Sequence, residues 1–145
     1  MKKTLIIATI MILGMVLVVI SSCKKSDPIP DYPQLIGAWS GNTSQDGPIY
    51  FYIDNIKGTL YITSYNTMIY TSTGYQNFQS ANSNGITAVS GKSFHISLGT
   101  GSAGPAFIDG IFNLTDMSLS GNFAAYGSGN NVDIITGTYI ANKNQ

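Results

Sequence analysis

Residues 34–145 of this 145-residue chain predict an all-β domain: an antiparallel meander of about eight strands, barrel-like, with a two-sheet β-sandwich as the alternative. Three observations carry that expectation. The chain contains neither Arg nor Glu, two of the better helix formers, and draws its polarity from Asn, Ser, Thr, Gly and Tyr. From Gln34 onward, short alternating apolar and polar segments are punctuated by Gly, Asn, Asp or Ser, as strands joined by tight turns are. Successive segments are spaced as hairpins, which leaves sequential strands as neighbours. A meander of that width can close around a filled interior or around one small ligand.

The elements follow in order. A first strand covers Leu35–Ser40. In a second, near 48–54, Ile49, Phe51 and Ile53 share one face and Tyr50 and Tyr52 the other. In a third, near 59–64, Leu60 and Ile62 oppose Thr59, Tyr61 and Thr63. If these two form a hairpin around Asn55–Gly58, paired residue numbers must sum to an odd value. Only that register puts Phe51 and Leu60 on one side, and it brings Tyr61 beside Tyr50 or Tyr52 on the other. A short strand at Thr67–Thr71 follows. Ile86–Val89 then pairs with Phe94, Ile96 and Leu98 through Ser90–Gly91. Ile108, Gly110, Phe112 and Leu114 alternate inward, as do Met117, Leu119, Gly121 and Phe123, with the turn at Thr115–Asp116. A last strand, about 132–141, gathers Val132, Ile134, Thr136, Thr138 and Ile140 on one side, after the loop Gly127–Asn131.

Ahead of the domain the chain opens Met1-Lys2-Lys3 and is nearly all apolar from Leu5 to Ile20, interrupted only by Thr9 and Gly14. A positive start, an apolar stretch and small residues at Ser21-Ser22 are the parts of a secretory signal peptide. The apolar run falls short of the roughly 20 residues that cross about 30 Å of hydrocarbon. Ile20-Ser21-Ser22-Cys23 resembles the lipobox of bacterial lipoproteins, an aliphatic residue and two small ones before a Cys. The resemblance implies that residues 1–22 are removed and that Cys23, the one cysteine of the chain, carries lipid into a membrane. Residues 23–33 hold three of the five prolines and read as an extended spacer. No Asp follows Cys23 directly, and the Cys-Lys-Lys-Ser-Asp start is similar to lipoproteins of the Bacteroides group. That implies an outer-membrane protein displayed at the cell surface, with the periplasmic face as the alternative.

Composition then narrows the function. With Cys23 lipidated, no disulfide can form, and the domain depends on packing and sheet hydrogen bonds. After the signal, five lysines face seven aspartates, a net charge of about −2. Without Arg, and with lysines scattered, no basic patch for nucleic acid can be assembled. His95 is the single histidine and shares its strand face with Ser93 and Ser97, so a metal set of three or four ligands is not expected. A nucleophile would need His95 as its base, with Asp109 or Asp133 to orient it, and neither lies in a recognisable motif. Asp46, Asp54 and Asp116 fall at turns, where Asp caps the backbone. No catalytic residue, metal or cofactor is therefore expected. The glycine-rich runs 99–105 and 127–131 lead into strands rather than a helix, so they are loops and not phosphate cradles.

Gly37-Ala38-Trp39 resembles the Gly-x-Trp that opens lipocalins, where the Trp plugs one barrel end, although no Arg is present to cover it. The stretches Leu35–Gln45, Ile49–Ile53, Ile108–Phe112, Leu119–Phe123 and Gly137–Lys143 are similar to small β-domain lipoproteins of the Bacteroides group. That resemblance implies a fold and a location and brings no catalytic motif. The residues themselves suggest Tyr50, Tyr52 and Tyr61 as an exposed aromatic cluster, able to stack on sugars beside Asn and Thr hydrogen-bonding groups. The expected function is a non-catalytic envelope module binding a glycan or a protein. The alternative is a lipocalin-like carrier holding an apolar ligand among Phe51, Leu60, Ile62, Phe112 and Phe123.

Overall fold

The computed structural model describes residues 30–101, 104–126 and 134–145. Cys23 and the loop 127–131 lie outside them. A 3-10 turn at Pro33–Leu35 leads into β1 (Gly37–Thr43), β2 (Pro48–Ile56), β3 (Thr59–Thr71), β4 (Gly74–Ala81), β5 (Thr87–Ala88), β6 (Ser93–Gly101), β7 (Gly104–Asn113), β8 (Ser118–Tyr126) and β9 (Ile134–Lys143). All pair antiparallel in one sheet, ordered β4-β3-β2-β1-β9-β8-β7-β6, with β5 also on β3. β4 lies along Ser64–Thr71 and β5 along Tyr61–Ile62, one below the other on the same edge of β3. The meander is therefore eight strands wide, as expected. One continuous curled sheet replaces the alternative of two packed sheets.

Two hairpins match their predicted registers. Ile53 faces Ile62 and Asn55 faces Leu60, an odd sum, and Gly110 faces Gly121 with Phe112 opposite Leu119. The β2–β3 turn works because Lys57 (φ 54°) and Gly58 (φ 89°) both take the left-handed backbone that a two-residue hairpin demands. Asn55 Oδ1 accepts the Gly58 N–H at 2.8 Å and fixes that turn.

Other expectations need correction. Thr67–Thr71 is not a separate strand but the upper half of a 13-residue β3. β4, rich in Gln, Asn and Ser, lacks the apolar alternation that would have marked it. Ile86–Val89 does not form a ladder with β6: Ile86 N donates to Ile62 O and Val89 N to Leu60 O, and only the Ser90–Ser93 bridge joins the two segments. Between β4 and β6 the sheet stays open, so the barrel is a half-barrel. In β9 the row of Thr136, Thr138 and Ile140 turns outward, with Ile140 62% exposed, while Tyr139 and Ala141 face the core; Val132 lies outside the described residues. Ahead of Gln34, Pro30 is buried and Tyr32 packs against the core.

Aromatic rings fill the interior. Phe51 of β2 meets Phe94 of β6 at 5.3 Å and Tyr139 of β9 at 5.5 Å, and Phe94 meets Phe112 at 5.7 Å. Trp39 is fully buried at the end where the chain enters. Its ring stands edge-on to Phe112 at 5.0 Å, and its Nε1 donates to Leu35 O at 3.0 Å. Such pairs contribute roughly 0.5–1.5 kcal/mol beyond their buried area.

Glycines make room for these rings. Tyr139 pairs with Gly121, which pairs with Gly110, so the Tyr139 ring crosses a floor without side chains. Its hydroxyl donates to Asp109 O at 2.8 Å. A Cβ on Gly121 would fall 1.8 Å from that same Asp109 oxygen, and one on Gly110 would fall 2.4 Å from the Phe94 ring. Burial, with the Asp109 charge adding to it, pushes the Tyr139 phenol well above its ordinary pKa.

Two outcomes follow. Gly121→Ala is expected to cost about 1–3 kcal/mol in urea unfolding, whereas Ile140→Thr on the outside should stay within roughly 0.5 kcal/mol of the native protein. The second concerns pH. The folded-state pKa of Tyr139 lies above its unfolded value of about 10, so the stability it confers is complete below pH ~10 and is lost as pH rises further. Tyr139→Phe should lower stability by about 0.5–1.5 kcal/mol at pH 7 and flatten the alkaline decline measured above pH ~10.

Candidate functional site

Because side chains alternate across a strand, one register decides what the outside of the sheet presents. On β2 the even residues Tyr50 and Tyr52 point outward, 50% and 46% exposed. Ser40 and Ala38 of β1 stand opposite them on one side, and Asn66 and Ser64 of β3 on the other. Gln79 and Ala81 of β4 continue the same rows. The result is an open groove of about 650 Å³. Tyr50 and Tyr52 form its aromatic part, and Ser64, Asn66, Gln79 and Asn144 supply hydroxyls and amides. No charged side chain lines it. The Asn66 amide reaches Gln79 Oε1 at 3.4 Å, a contact long enough for a ligand hydroxyl to replace. Tyr65, whose backbone runs beneath, is partly buried, and burial raises its pKa.

Tyr61 does not join this cluster, which corrects the expected trio. Its partner across β2 is Asp54 rather than a tyrosine. A bulge then inserts Thr63 between it and the level of Tyr52, with the Thr63 hydroxyl donating to Tyr52 O at 3.3 Å. The segment 82–86 also folds over Tyr61: a Cβ on Gly85 would lie 2.3 Å from its ring. A bulge is invisible to a parity argument, which assumes an unbroken ladder.

Two other tyrosines replace it. Tyr70 of β3 faces Tyr75 of β4, edge to face at 5.1 Å, and both are more than half exposed on the same outer face. With Met68 they extend the aromatic surface to about 20 Å from the level of Tyr52, six residues at 3.3 Å each. The sequence signal for them was present in Met68-Ile69-Tyr70, where Ile69 is buried and its neighbours are not, but β4 was needed to complete the pair.

A second, smaller feature lies on β6 and β7. His95 stands opposite Asp109, and its Nδ1 lies 2.5 Å from Asp109 Oδ1. The imidazole stacks on Phe107 at 5.8 Å. Sequence reasoning considered Asp109 for this role, and the cross-strand register brings the two together. They border a groove of about 530 Å³ with Ser93, Ile111 and Asn122. A carboxylate-oriented imidazole is part of a nucleophilic triad, but no hydroxyl bonds to its Nε2 among the described residues. Both groups are largely exposed, at 61% and 43%, and such surface pairs are worth about 0–1 kcal/mol. Among the described residues no three His, Cys, Asp or Glu side chains come together as a metal would require. Asp116 is occupied locally: the Ser118 hydroxyl and N–H bond to it and hold its carboxyl below the usual pKa.

Comparison with protein-family models, with curated proteins and with solved structures found no match to this chain.

Proposed function

We propose that this chain is a lipid-anchored, non-catalytic envelope protein whose outer β face binds a neutral glycan. The observation that carries the reading is the groove at Tyr50 and Tyr52, uncharged throughout and walled by amides and hydroxyls. Aromatic faces take the C–H faces of a sugar ring, and amides bond its hydroxyls in either direction. An anionic ligand would find no cation there, and a wholly apolar one would strand the amides.

The filled interior weighs against the carrier alternative. Phe51, Leu60, Ile62, Phe112 and Phe123 are each no more than 4% exposed, and the aromatic ones touch neighbouring rings or glycine backbone where a ligand would need to lie. Function is left to the outer face and the loops.

Anchoring through Cys23 accords with the way the chain enters the domain. Pro30 borders a small cleft of about 160 Å³ together with Gly58, Leu60, Val89 and Gly91, at the end formed by the β2–β3 and β5–β6 turns. Six residues lie between it and Cys23, seven steps with a reach of at most about 24 Å. On this reading the protein is tethered in the outer membrane and displayed at the cell surface, where external polysaccharide is the glycan within its reach.

Two experiments test the reading. Titration with neutral polysaccharides should show binding that Tyr50→Ala and Tyr52→Ala each weaken about tenfold, on the order of 1.4 kcal/mol, without changing the melting temperature. Tyr61→Ala should leave binding intact, and unchanged binding in the first two variants would sink the assignment. Separately, the native chain should take up a labelled fatty acid and sediment with membranes, and Cys23→Ser should do neither. A native chain that remains unlabelled would end the lipid reading.

A further inference from the structure

The two free edges of the sheet are built differently. The β6 edge is interrupted: its pairing with β7 shifts register between Ser97 and Gly99, and Gly99 takes a φ of 122°. Its start is bridged to Ser90, and at its end Gly101 N donates to the Tyr126 hydroxyl. Bulges and capping contacts of this kind stop a strand edge from pairing with another chain. The β4 edge has none of them. Gly74–Ala81 runs in unbroken register against β3, without a bulge, a proline or any charged residue, and no strand pairs with its far side among the described residues. Gln76 and Phe78, which face inward, are only half-buried there.

We infer that the β4 edge pairs antiparallel with β4 of a second copy of this chain, making a two-fold dimer with one continuous outer face. The observations favour this occupant over an unrelated strand for a definite reason. An antiparallel pair about a two-fold axis matches donor to acceptor automatically, and an uncharged strand meets no repulsion from itself. Keeping outer face with outer face sets Tyr75, Asn77 and Gln79 of one copy beside the same three residues of the other.

Pairing also completes the groove. Its β4 wall is Gln79, Ser80 and Ala81, which ends at the free edge. The antiparallel direction brings Tyr75 of the second copy alongside that wall, adding an aromatic ring that a single copy cannot supply there. The two tyrosine surfaces then join across the axis, a geometry suited to a polymer with repeating sugar units. This last step rests on the glycan reading; the pairing does not.

Light scattering on the full-length chain in detergent micelles should give a dimer. Asn77→Lys sets like charges against each other across the axis and should give a folded monomer with unchanged circular dichroism, whose melting temperature no longer depends on concentration. Ser97→Lys adds the same charge to the β6 edge and should leave the dimer. A monomeric native chain overturns the proposal, as does a dimer that survives Asn77→Lys or dissolves with Ser97→Lys. A dimer that binds no polysaccharide refutes the groove assignment and leaves the pairing; a monomer that binds does the reverse.

Discussion

Strands β1 and β9 pair from Trp39 with Lys143 to Thr43 with Tyr139, and this ladder joins two four-position meanders into one sheet. Everything on the β1 side, including the tyrosine groove, depends on it. Beyond the last pair, Ser44 N donates to Thr138 O and Asn144 N to Ala38 O, so the ladder is tied at both ends. Gly41 lets the two backbones approach: a Cβ there would fall 1.9 Å from Ile140 O. With this side closed by hydrogen bonds, the curl of the sheet puts its open seam between β4 and β6.

The interior and the exterior are coupled by the same alternation. Each strand that lends a ring to the core presents its neighbours outside, so Phe51 inside fixes Tyr50 and Tyr52 outside. The Tyr139 ring, lying over Gly110 and Gly121, locks β7, β8 and β9 at one height. Because Asp109 carries both the carbonyl that receives Tyr139 and the carboxylate that receives His95, one residue links a buried contact to an exposed one. Beside the tyrosines the groove is lined by Ser, Asn and Gln, which bond to water as readily as to a ligand. The groove gains its character from shape and from the tyrosines.

Much of this was legible from residue types alone. Period-two alternation of large apolar side chains located β2, β7 and β8, and the glycines at 110 and 121 sat correctly in the inward rows. Parity placed Tyr50 and Tyr52 outside. It failed at Tyr61 because the bulge at Thr63 is a backbone event that no side-chain pattern records. β4 escaped notice because an edge strand covered on one side needs few apolar residues; Phe78 is its only large inward one. The assignment of Ile86–Val89 to β6 failed through a long-range preference: the segment returns to β3, where Leu60 O and Ile62 O wait for donors. In β9 the sequence grouped the aliphatic residues on one side without saying which way it faces; Tyr139 takes the inside, where the glycine floor has room for a ring.

The β1–β9 ladder also governs how the molecule comes into being. Ser40 and Asn144 bond side chain to side chain across 104 positions of sequence, at 2.6 Å. Contacts so distant along the chain close last, and proteins dominated by them fold in milliseconds to seconds rather than microseconds. Until β9 arrives, the half of the molecule made first carries a naked β1 whose Trp39 has no Phe112 to rest on. Native structure is thus withheld until β9 exists, and that strand brings Tyr139 to the floor already laid by β7 and β8.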